Sequence, residues 1–454
     1  MAKNKRNGVI TPKPEKVVPK PTLPKVTNEG NDWLSWRFTF ILTIIGFITS
    51  FLCARTLTTF STTNRANDID IYVPNELLSS QPCGASNYFT EKEVVGLHLI
   101  CLDSSHGIPE VSYLVNIYQN SMNNPTQFSI SINEKDPYQY ICRTLEKELQ
   151  LLTKNQSINP WAMFTTTGEK ILNLNDMLST STTLVYEGGS FIWPGVKVGH
   201  KQMIYLNDGN NNNNNNNQNV GTESEGEFLQ METLSMNPLI FSIDNFLSFD
   251  ECDYIQLHAS PHMASSGVSL MDKDIGKKAT EWRTSETYFM ASKNHDILKN
   301  IDHRVSSLTK VPISHQELVQ VLKYGEGGKY DAHHDYFDPK LYTKDKRTLN
   351  MIKNGKTNRM ATVLWYLSDV DDGGHTVFPQ SGGTKPPKDM TSCERGLKVS
   401  PSKGKVIMFY SLLGDGSIDK HSLHGSCPVI GSKDKWAANK WVWSSPMTAF
   451  GITN

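Results

Sequence analysis

A histidine and an aspartate separated by one residue stand out in residues 330–337, whose sequence is YDAHHDYF. In a β-strand, residues i and i+2 point to the same face, so His333 and Asp335 would enter one pocket together. They would then supply two of the three protein ligands of a 2-His-1-carboxylate iron site. Taken alone, the pair also fits a half-exposed polar strand edge. The third ligand must come from elsewhere in the chain.

Two further histidines, His421 and His424, lie near the C-terminus between predicted strands, and Lys435 follows His424 by eleven positions. A lysine buried inside a β-rich domain is costly unless an anion meets it, and a dicarboxylate cosubstrate would be such an anion. Each residue alone also fits a surface position. The order His-x-Asp, His, Lys nevertheless matches what a metal-bound keto acid requires.

With these residues and several other motifs, the sequence resembles the prolyl 4-hydroxylases, which are Fe(II)/2-oxoglutarate dioxygenases, especially the membrane-anchored type of plants, algae and protists. The resemblance covers roughly residues 238–447 and does not include residues 82–206. The stretches that carry it are Arg283-Thr284-Ser285, residues 320–324 (QVLKY), 330–337 (YDAHHDYF), 359–364 (RMATVL), 373–379 (GGHTVFP) and 424–428 (HGSCP), and Lys435-Trp436.

The resemblance implies a specific set of ligands. His333, Asp335 and His424 match the family's iron-binding residues, and Lys435 matches the lysine that pairs with the distal carboxylate of 2-oxoglutarate. The family usually has ten residues from the distal histidine to the lysine, whereas this chain has eleven. Lys433 is therefore an alternative to Lys435.

The resemblance also implies two helper residues and the cosubstrates. Tyr324 and Thr376 occupy positions similar to those of the family's hydrogen-bond donors to the 2-oxoglutarate carboxylate. The implied cofactor is Fe(2+), the implied cosubstrates are 2-oxoglutarate and O₂, and L-ascorbate is implied as well. The expected reaction is 4-hydroxylation of proline, with conversion of 2-oxoglutarate to succinate and CO₂.

Two more histidines need an interpretation. His375 stands where the family commonly has glutamate, so it is either a spare metal ligand or a turn residue that faces solvent. His334 is expected to point away from the metal, because adjacent residues of a strand face opposite sides.

The pattern of apolar and polar residues predicts the helices and strands that position these residues. Ser248 and Glu251 have capping-box spacing, which predicts a helix that starts near Phe249. A second helix is predicted over residues 293–308, and short β-like runs over residues 318–324, 361–367, 397–399, 405–410 and 440–443. We therefore predict an α+β chain whose residues 236–454 form a double-stranded β-helix (jelly roll) dioxygenase domain with flanking helices.

Composition predicts the remaining domains. Residues 76–206 read as a small α+β domain of unknown role. An unbroken asparagine run at residues 210–217 lies within a segment that has nothing to bury, so residues 207–235 are predicted to be a linker.

The N-terminal part predicts a membrane anchor. Residues 38–54 are 17 uncharged, mostly apolar residues, flanked by Trp33 and Trp36. Residues 1–37 form a basic, Pro- and Lys-rich tail and residues 55–75 a polar stem. By the positive-inside rule the tail is cytosolic and the rest lumenal, which predicts a single-pass type II protein of the endoplasmic reticulum or Golgi membrane. A cleaved signal peptide and a buried core helix are the alternatives.

The cysteines fit an oxidising compartment. Apart from Cys53 in the predicted anchor, the chain has six cysteines, whose pairing the sequence does not fix. Cys393 and Cys427 match cysteines that the family places near its last core strands, which implies a bridge between them; two small buried residues are the alternative. Asn155 begins the one glycosylation sequon, Asn-Gln-Ser.

The substrate class follows from the resemblance and the orientation. Residues 265–285 have the composition of a mobile flap, and the family closes such loops over an extended proline-rich peptide. The expected partner is therefore a proline-rich peptide or a secreted glycoprotein, and collagen-like substrates stay open. A net charge of -1 gives no reason to expect nucleic acid, and the oligomeric state stays open. A lysyl hydroxylase or other 2-oxoglutarate oxygenase, and a membrane-tethered binding module without activity, are the alternatives.

Overall fold

A computed structural model describes residues 89–103, 112–131, 135–152, 160–207 and 227–447. The chain divides into residues 1–71 and a second compact unit, residues 72–454, to which all described residues belong. The predicted tail, anchor and stem, the Asn155 sequon and the asparagine run lie outside the described residues. Among the helices that are described, none combines the length and the apolar character needed to cross a membrane.

The first described region is an antiparallel sheet with a helix packed on one face. Its strands are β1 (Leu97–Asp103), β2 (Ser112–Tyr118), β3 (Pro125–Ser131), β4 (Ala162–Thr165) and β5 (Thr182–Tyr186), in the spatial order β3-β2-β1-β5-β4. Helix α1 (Pro137–Glu148) starts at Asp136, whose side chain accepts a hydrogen bond from Gln139 N, and it buries Ile141 and Leu145 against the sheet. A short helix, α2 (Leu174–Leu178), precedes β5. The region is α+β, as predicted.

The remaining strands form the layers that carry the predicted site. In chain order they are β6 (Lys201–Leu206), β7 (Glu227–Met236), β8 (Leu239–Ile243), β9 (Ala264–Ser265), β10 (Glu286–Met290), β11 (Val319–Tyr324), β12 (Tyr330–His333), β13 (Arg359–Tyr366), β14 (Asp372–Gly373), β15 (Thr376–Phe378), β16 (Leu397–Val399), β17 (Val406–Tyr410), β18 (His424–Ser426), β19 (Val429–Ile430) and β20 (Lys435–Trp443).

These strands build a main sheet and a smaller sheet. The main sheet has nine strands in the order β6-β7-β8-β17-β13-β20-β11-β10-β9, and the smaller sheet has four in the order β12-β18-β15-β16. Strands β14 and β19 pair separately. Apolar side chains of both sheets, including Leu364 and Phe409 from the main sheet and Phe378 from the smaller one, form one buried cluster. The predicted jelly roll is confirmed.

Three helices accompany the sheets: α3 (Phe249–Ala259), α4 (Asp296–Thr309) and α5 (Lys346–Met351). The predicted capping box starts α3, because Ser248 and Glu251 each accept a hydrogen bond from the other's backbone N–H. On the core side of α4, the buried carboxylate of Asp302 lies 2.7 Å from Lys440 Nζ of β20. This ion pair joins α4 to the main sheet.

The structure corrects the predicted domain boundaries. Strand β6 pairs with β7 along its length, so the predicted first domain, residues 76–206, ends inside the main sheet. Residues 227–235 of the predicted linker, residues 207–235, belong to β7. An asparagine run shows only that its own segment has nothing to bury; it does not show whether the flanking residues pair as a hairpin.

The N-terminal sheet and the jelly roll share one apolar core. Leu99 and Leu184 belong to the same buried cluster as Phe241 and Val363. At the junction Gly188 N donates a hydrogen bond to Gly414 O at 2.8 Å. Gly96 has a φ of +76°, and a Cβ there would lie 2.2 Å from Asp415 N, so only glycine permits this close approach.

Candidate active site

Three predicted ligands meet on the smaller sheet. His333 is the last residue of β12 and His424 the first of β18, and the two are directly paired in the antiparallel register. Asp335 lies just beyond the end of β12, so the predicted strand is shorter than residues 330–337. Its Oδ1 is 3.8 Å from His333 Nε2 and its Oδ2 is 3.5 Å from His424 Nε2. One ligand atom from each residue lies within 4.8 Å of the others.

Backbone contacts fix the state of both imidazoles. His333 Nδ1 lies 2.8 Å from the carbonyl oxygen of Asp331, and His424 Nδ1 lies 3.0 Å from that of Ser422. A carbonyl oxygen can only accept, so each Nδ1 carries a proton, and in the neutral imidazole Nε2 then carries the lone pair. Both lone pairs are therefore available on the side of Asp335, as a metal requires.

The carboxylate of Asp335 is buried and held in place. Thr362 Oγ1 of β13 donates a hydrogen bond to Asp335 Oδ2 at 2.7 Å. Burial by itself raises the pKa of Asp335, but electrostatic interactions with His424, His333 and Arg359 and the hydrogen bond from Thr362 outweigh it and lower this pKa to about 2. Burial, reinforced by His424, lowers the pKa of His333 to about 3. An ionised carboxylate and two imidazole nitrogens are the ligands of a facial Fe(II) site, so these residues fit the metal.

Lys435 enters the space between the sheets from the main sheet. It is the first residue of β20, only 2% exposed, and its Nζ donates a hydrogen bond to Ser426 Oγ at 2.8 Å. No carboxylate of the described residues lies within 4.0 Å of this ammonium. Burial lowers the pKa of Lys435 to about 7. A buried amine without a carboxylate partner fits an anionic ligand.

Hydroxyl groups surround this lysine. Tyr324 is paired with Lys435 across β11 and β20, and Thr376 is paired with Ser426 across β15 and β18. The ring centroid of Tyr324 lies 5.2 Å from Lys435 Nζ. Tyr366 donates a hydrogen bond to Thr376 Oγ1 at 2.7 Å. The two predicted helper residues are thus part of one polar cluster with Lys435.

Sequence reasoning missed three residues of the site: Thr362, Tyr366 and Ser426. Thr362 and Tyr366 lie four residues apart on β13 and therefore share a face, and Ser426 lies two residues after His424. Strand alternation applied to His424 would have found Ser426. No similar pattern shows which residues of β13 point toward the metal ligands, because all but the first residue of this strand are buried.

The structure separates the alternatives that the sequence left open. Lys433 is exposed and pairs with Asp371 at 3.0 Å, so the lysine of the cavity is Lys435. His421 lies 3.4 Å from Asp419 and His334 Nε2 lies 3.0 Å from the carbonyl oxygen of Lys420; neither joins the ligand group. His375 is also outside that group.

The predicted disulfide is present. Cys393 and Cys427 are bonded, as the resemblance implied. The bond joins the segment before β16 to the residue that follows β18, three residues after His424. Among the described residues, Cys142 and Cys252 are free thiols.

A groove is lined mostly by residues of the predicted flap, residues 265–285. It has a volume of about 420 Å³, and its lining includes Ser265, Arg283 and Lys323. The guanidinium of Arg283 lies 4.6 Å from the ring centroid of Tyr330, which stacks on His333 at 3.7 Å. A continuous set of side chains therefore connects the groove to a metal ligand.

The jelly-roll fold and the 2-His-1-carboxylate ligand group are typical of Fe(II)/2-oxoglutarate oxygenases, and sequence comparison agrees with this class. Residues 319–443 match the profile of the 2OG-Fe(II) oxygenase superfamily. Probable prolyl 4-hydroxylase 3 of Arabidopsis thaliana is 41% identical over 217 residues, which are 46% of this chain and 71% of that protein. Prolyl 4-hydroxylase 5 of the same plant is 36% identical over 240 residues, 52% of this chain and 78% of that protein.

The chain belongs to the prolyl 4-hydroxylase family. A solved structure, the viral collagen prolyl hydroxylase of Paramecium Bursaria Chlorella virus-1 in its 2OG complex, is 25% identical with a TM-score of 0.32, and covers 45% of this chain and 96% of that one.

Proposed function

We propose that this protein is a peptidyl-proline 4-dioxygenase, which hydroxylates C4 of proline and converts 2-oxoglutarate to succinate and CO₂. The observation that carries the proposal is the pairing of His333, Asp335 and His424 with a buried Lys435 that has no acidic partner among the residues that the structure describes. The first group fits Fe(II), and the second fits the far carboxylate of a dicarboxylate. L-ascorbate, typical of the family, is proposed as an additional requirement.

Each residue has a defined task in this proposal. His333, Asp335 and His424 hold the iron from one side, and bound iron with O₂ and 2-oxoglutarate supplies the oxidation of the proline C–H bond. Thr362 holds the carboxylate of Asp335 in its orientation. Lys435 binds the distal carboxylate of 2-oxoglutarate and thereby orients the molecule.

The proposed substrate enters through the groove beside the flap. An extended proline-rich peptide has no internal hydrogen bonds to break, and its rings can pack on aromatic side chains such as Tyr330. Arg283, which lines the groove, offers hydrogen-bond donors to peptide carbonyl groups. The relatives named prolyl 4-hydroxylases favour proline over lysine as the hydroxylated residue, and the complete ligand group argues against an inactive binding module.

The decisive experiment measures succinate and hydroxyproline formed by the purified full chain from a panel of proline-rich and lysine-containing peptides. Replacement His333→Ala removes a metal ligand, so both products should fall to background. His334→Ala is the matched control, because this neighbour is outside the ligand group, and it should retain turnover. Normal turnover by His333→Ala, or turnover of lysine peptides alone, would refute the proposal.

We further propose that residues 38–54 anchor the protein as a single-pass type II membrane protein of the endoplasmic reticulum or Golgi, with the catalytic part in the lumen. The supporting observations are the apolar run behind a basic tail and the disulfide between Cys393 and Cys427, which persists in oxidising compartments. In intact vesicles, residues 72–454 should resist added protease until detergent is present. Cleavage without detergent would contradict the orientation.

A further inference from the structure

A long connecting segment, residues 338–357, begins directly beside the metal ligands; we call it the excursion. It lies between Phe337, four residues after the end of β12 in the smaller sheet, and Asn358, which directly precedes β13 of the main sheet. The side chain of Asn358 closes the base, because its Oδ1 accepts a hydrogen bond from Phe337 N at 2.9 Å and its Nδ2 donates one to Phe337 O at 2.8 Å. The excursion is therefore fixed two residues from Asp335.

The excursion is internally packed. Its residues Tyr342 and Ile352 are buried in one apolar cluster with Phe337 and Trp443. Helix α5 lies within it and is capped by Asp345, which accepts hydrogen bonds from the backbone N–H groups of Arg347 and Thr348. Side chains on its outer face therefore have defined positions.

The outer face of the excursion is strongly basic. We call basic surface the set of exposed residues Lys340, Lys344, Lys346, Arg347 and Lys356. None of these five has a carboxylate oxygen of the described residues within 4.0 Å. The two acidic residues of the excursion, Asp338 and Asp345, accept hydrogen bonds from the backbone of the excursion itself. Because the whole chain has a net charge of -1, this concentration of positive charge is local.

The basic surface lies on the same rim as the flap. Asp272 of the flap accepts hydrogen bonds from Thr343 N at 2.8 Å, from Thr343 Oγ1 at 2.5 Å and from Lys344 N at 3.1 Å. The flap continues to Arg283 in the lining of the groove. A polypeptide that leaves the groove past the flap therefore reaches the basic surface.

We propose that the basic surface binds acidic side chains of the substrate polypeptide, so that the enzyme prefers prolines flanked by a run of aspartate or glutamate. This inference rests on the proposed function and specifies its substrate class. Exposed like charges that outnumber the carboxylates beside them attract an oppositely charged partner, mainly through faster association, and salt weakens the attraction.

The test uses the full chain and three proline-rich peptides that differ only in flanking residues, which are acidic, neutral or basic. The variant combines Lys340→Glu, Lys346→Glu and Arg347→Glu, and leaves Lys344 unchanged because its backbone contacts Asp272. For the acidic peptide, kcat/KM should fall about tenfold through KM. For the neutral peptide both constants should stay unchanged, which also shows that the variant is folded.

A second variant controls for total charge. Lys170→Glu, Lys197→Glu and Lys293→Glu change the same number of charges at exposed positions outside the basic surface and should leave the peptide preference unchanged. The proposal is overturned if the unmodified enzyme does not prefer the acidic peptide, or if the first variant alters turnover of all three peptides equally. Failure of the proposed function would look different, since no proline peptide would then be hydroxylated.

Discussion

The two ends of the cavity between the sheets are stabilised in different ways. At the metal end, protein groups orient every ligand: backbone carbonyls hold both imidazoles, and Thr362 holds Asp335. At the lysine end, the Ser426 hydroxyl is the only hydrogen-bond partner of the buried Lys435 amine within the described part of the chain. The comparison indicates that the metal end is preorganised, whereas the lysine end is completed only by its ligand.

The largest effect that distinguishes the lysine end from the metal end is expected for a substitution of Lys435. Replacement Lys435→Ala should raise the KM for 2-oxoglutarate about 100-fold, because a buried charged hydrogen-bond partner of the carboxylate is lost. Affinity for the metal should change little, because Lys435 does not contact the ligand group. Titration with 2-oxoglutarate and measurement of bound metal check both parts. Equal loss of metal and 2-oxoglutarate binding would contradict the separation.

At Thr362 we expect the reverse: a substitution should weaken metal binding and leave 2-oxoglutarate binding nearly unchanged. Thr362→Val preserves the shape of the side chain but removes its hydrogen bond to Asp335 Oδ2, so metal affinity should fall about 10- to 100-fold. Once the metal is saturating, the KM for 2-oxoglutarate should be near that of the unmodified enzyme. Competition of the protein with a chelator measures the metal affinity, and Thr362→Ser should restore it. An unchanged affinity in Thr362→Val would mean that the carboxylate is oriented by other contacts.

A smaller effect, dependent on pH, should arise at the lysine end. Because burial lowers the pKa of Lys435 to about 7, the free enzyme carries the charged amine below this pH and the neutral amine above it. Binding of a dicarboxylate favours the charged form, so binding must take up a proton above pH 7. Affinity should therefore be constant below pH 7 and weaken about tenfold per pH unit above it.

Calorimetric titration in two buffers with different ionisation enthalpies measures this proton uptake. A redox-inert divalent metal in place of iron prevents turnover during the measurement. Tyr366 does not interfere, because burial raises its pKa far above this range. Affinity that is independent of pH between about 7 and 9 would show that Lys435 is already charged in the free enzyme.

The sequence predicted the residues at both ends of the cavity better than it predicted their surroundings. His333, Asp335, His424 and Lys435 carry short motifs in a fixed order, and the structure brings them together. The jelly-roll strands and the cap of α3 followed from local patterns that the structure retains.

Other features depend on contacts that no local pattern encodes. Tyr366 and Thr362 belong to a strand buried on both faces, so alternation does not show which side chains enter the cavity. The pairing of β6 with β7 joins residues on either side of the asparagine run, and composition suggested a boundary at the same place. These features became visible only when the sheets were assembled.

The hairpin of β6 and β7 also has a consequence for stability. Removing everything before residue 227 would make the longer strand β7 the edge of the main sheet in place of β6, and would uncover apolar side chains that now pack on Leu99 and Leu184. We therefore expect the catalytic part without the preceding chain to aggregate. The described regions should melt together, as one heat-absorption peak in scanning calorimetry.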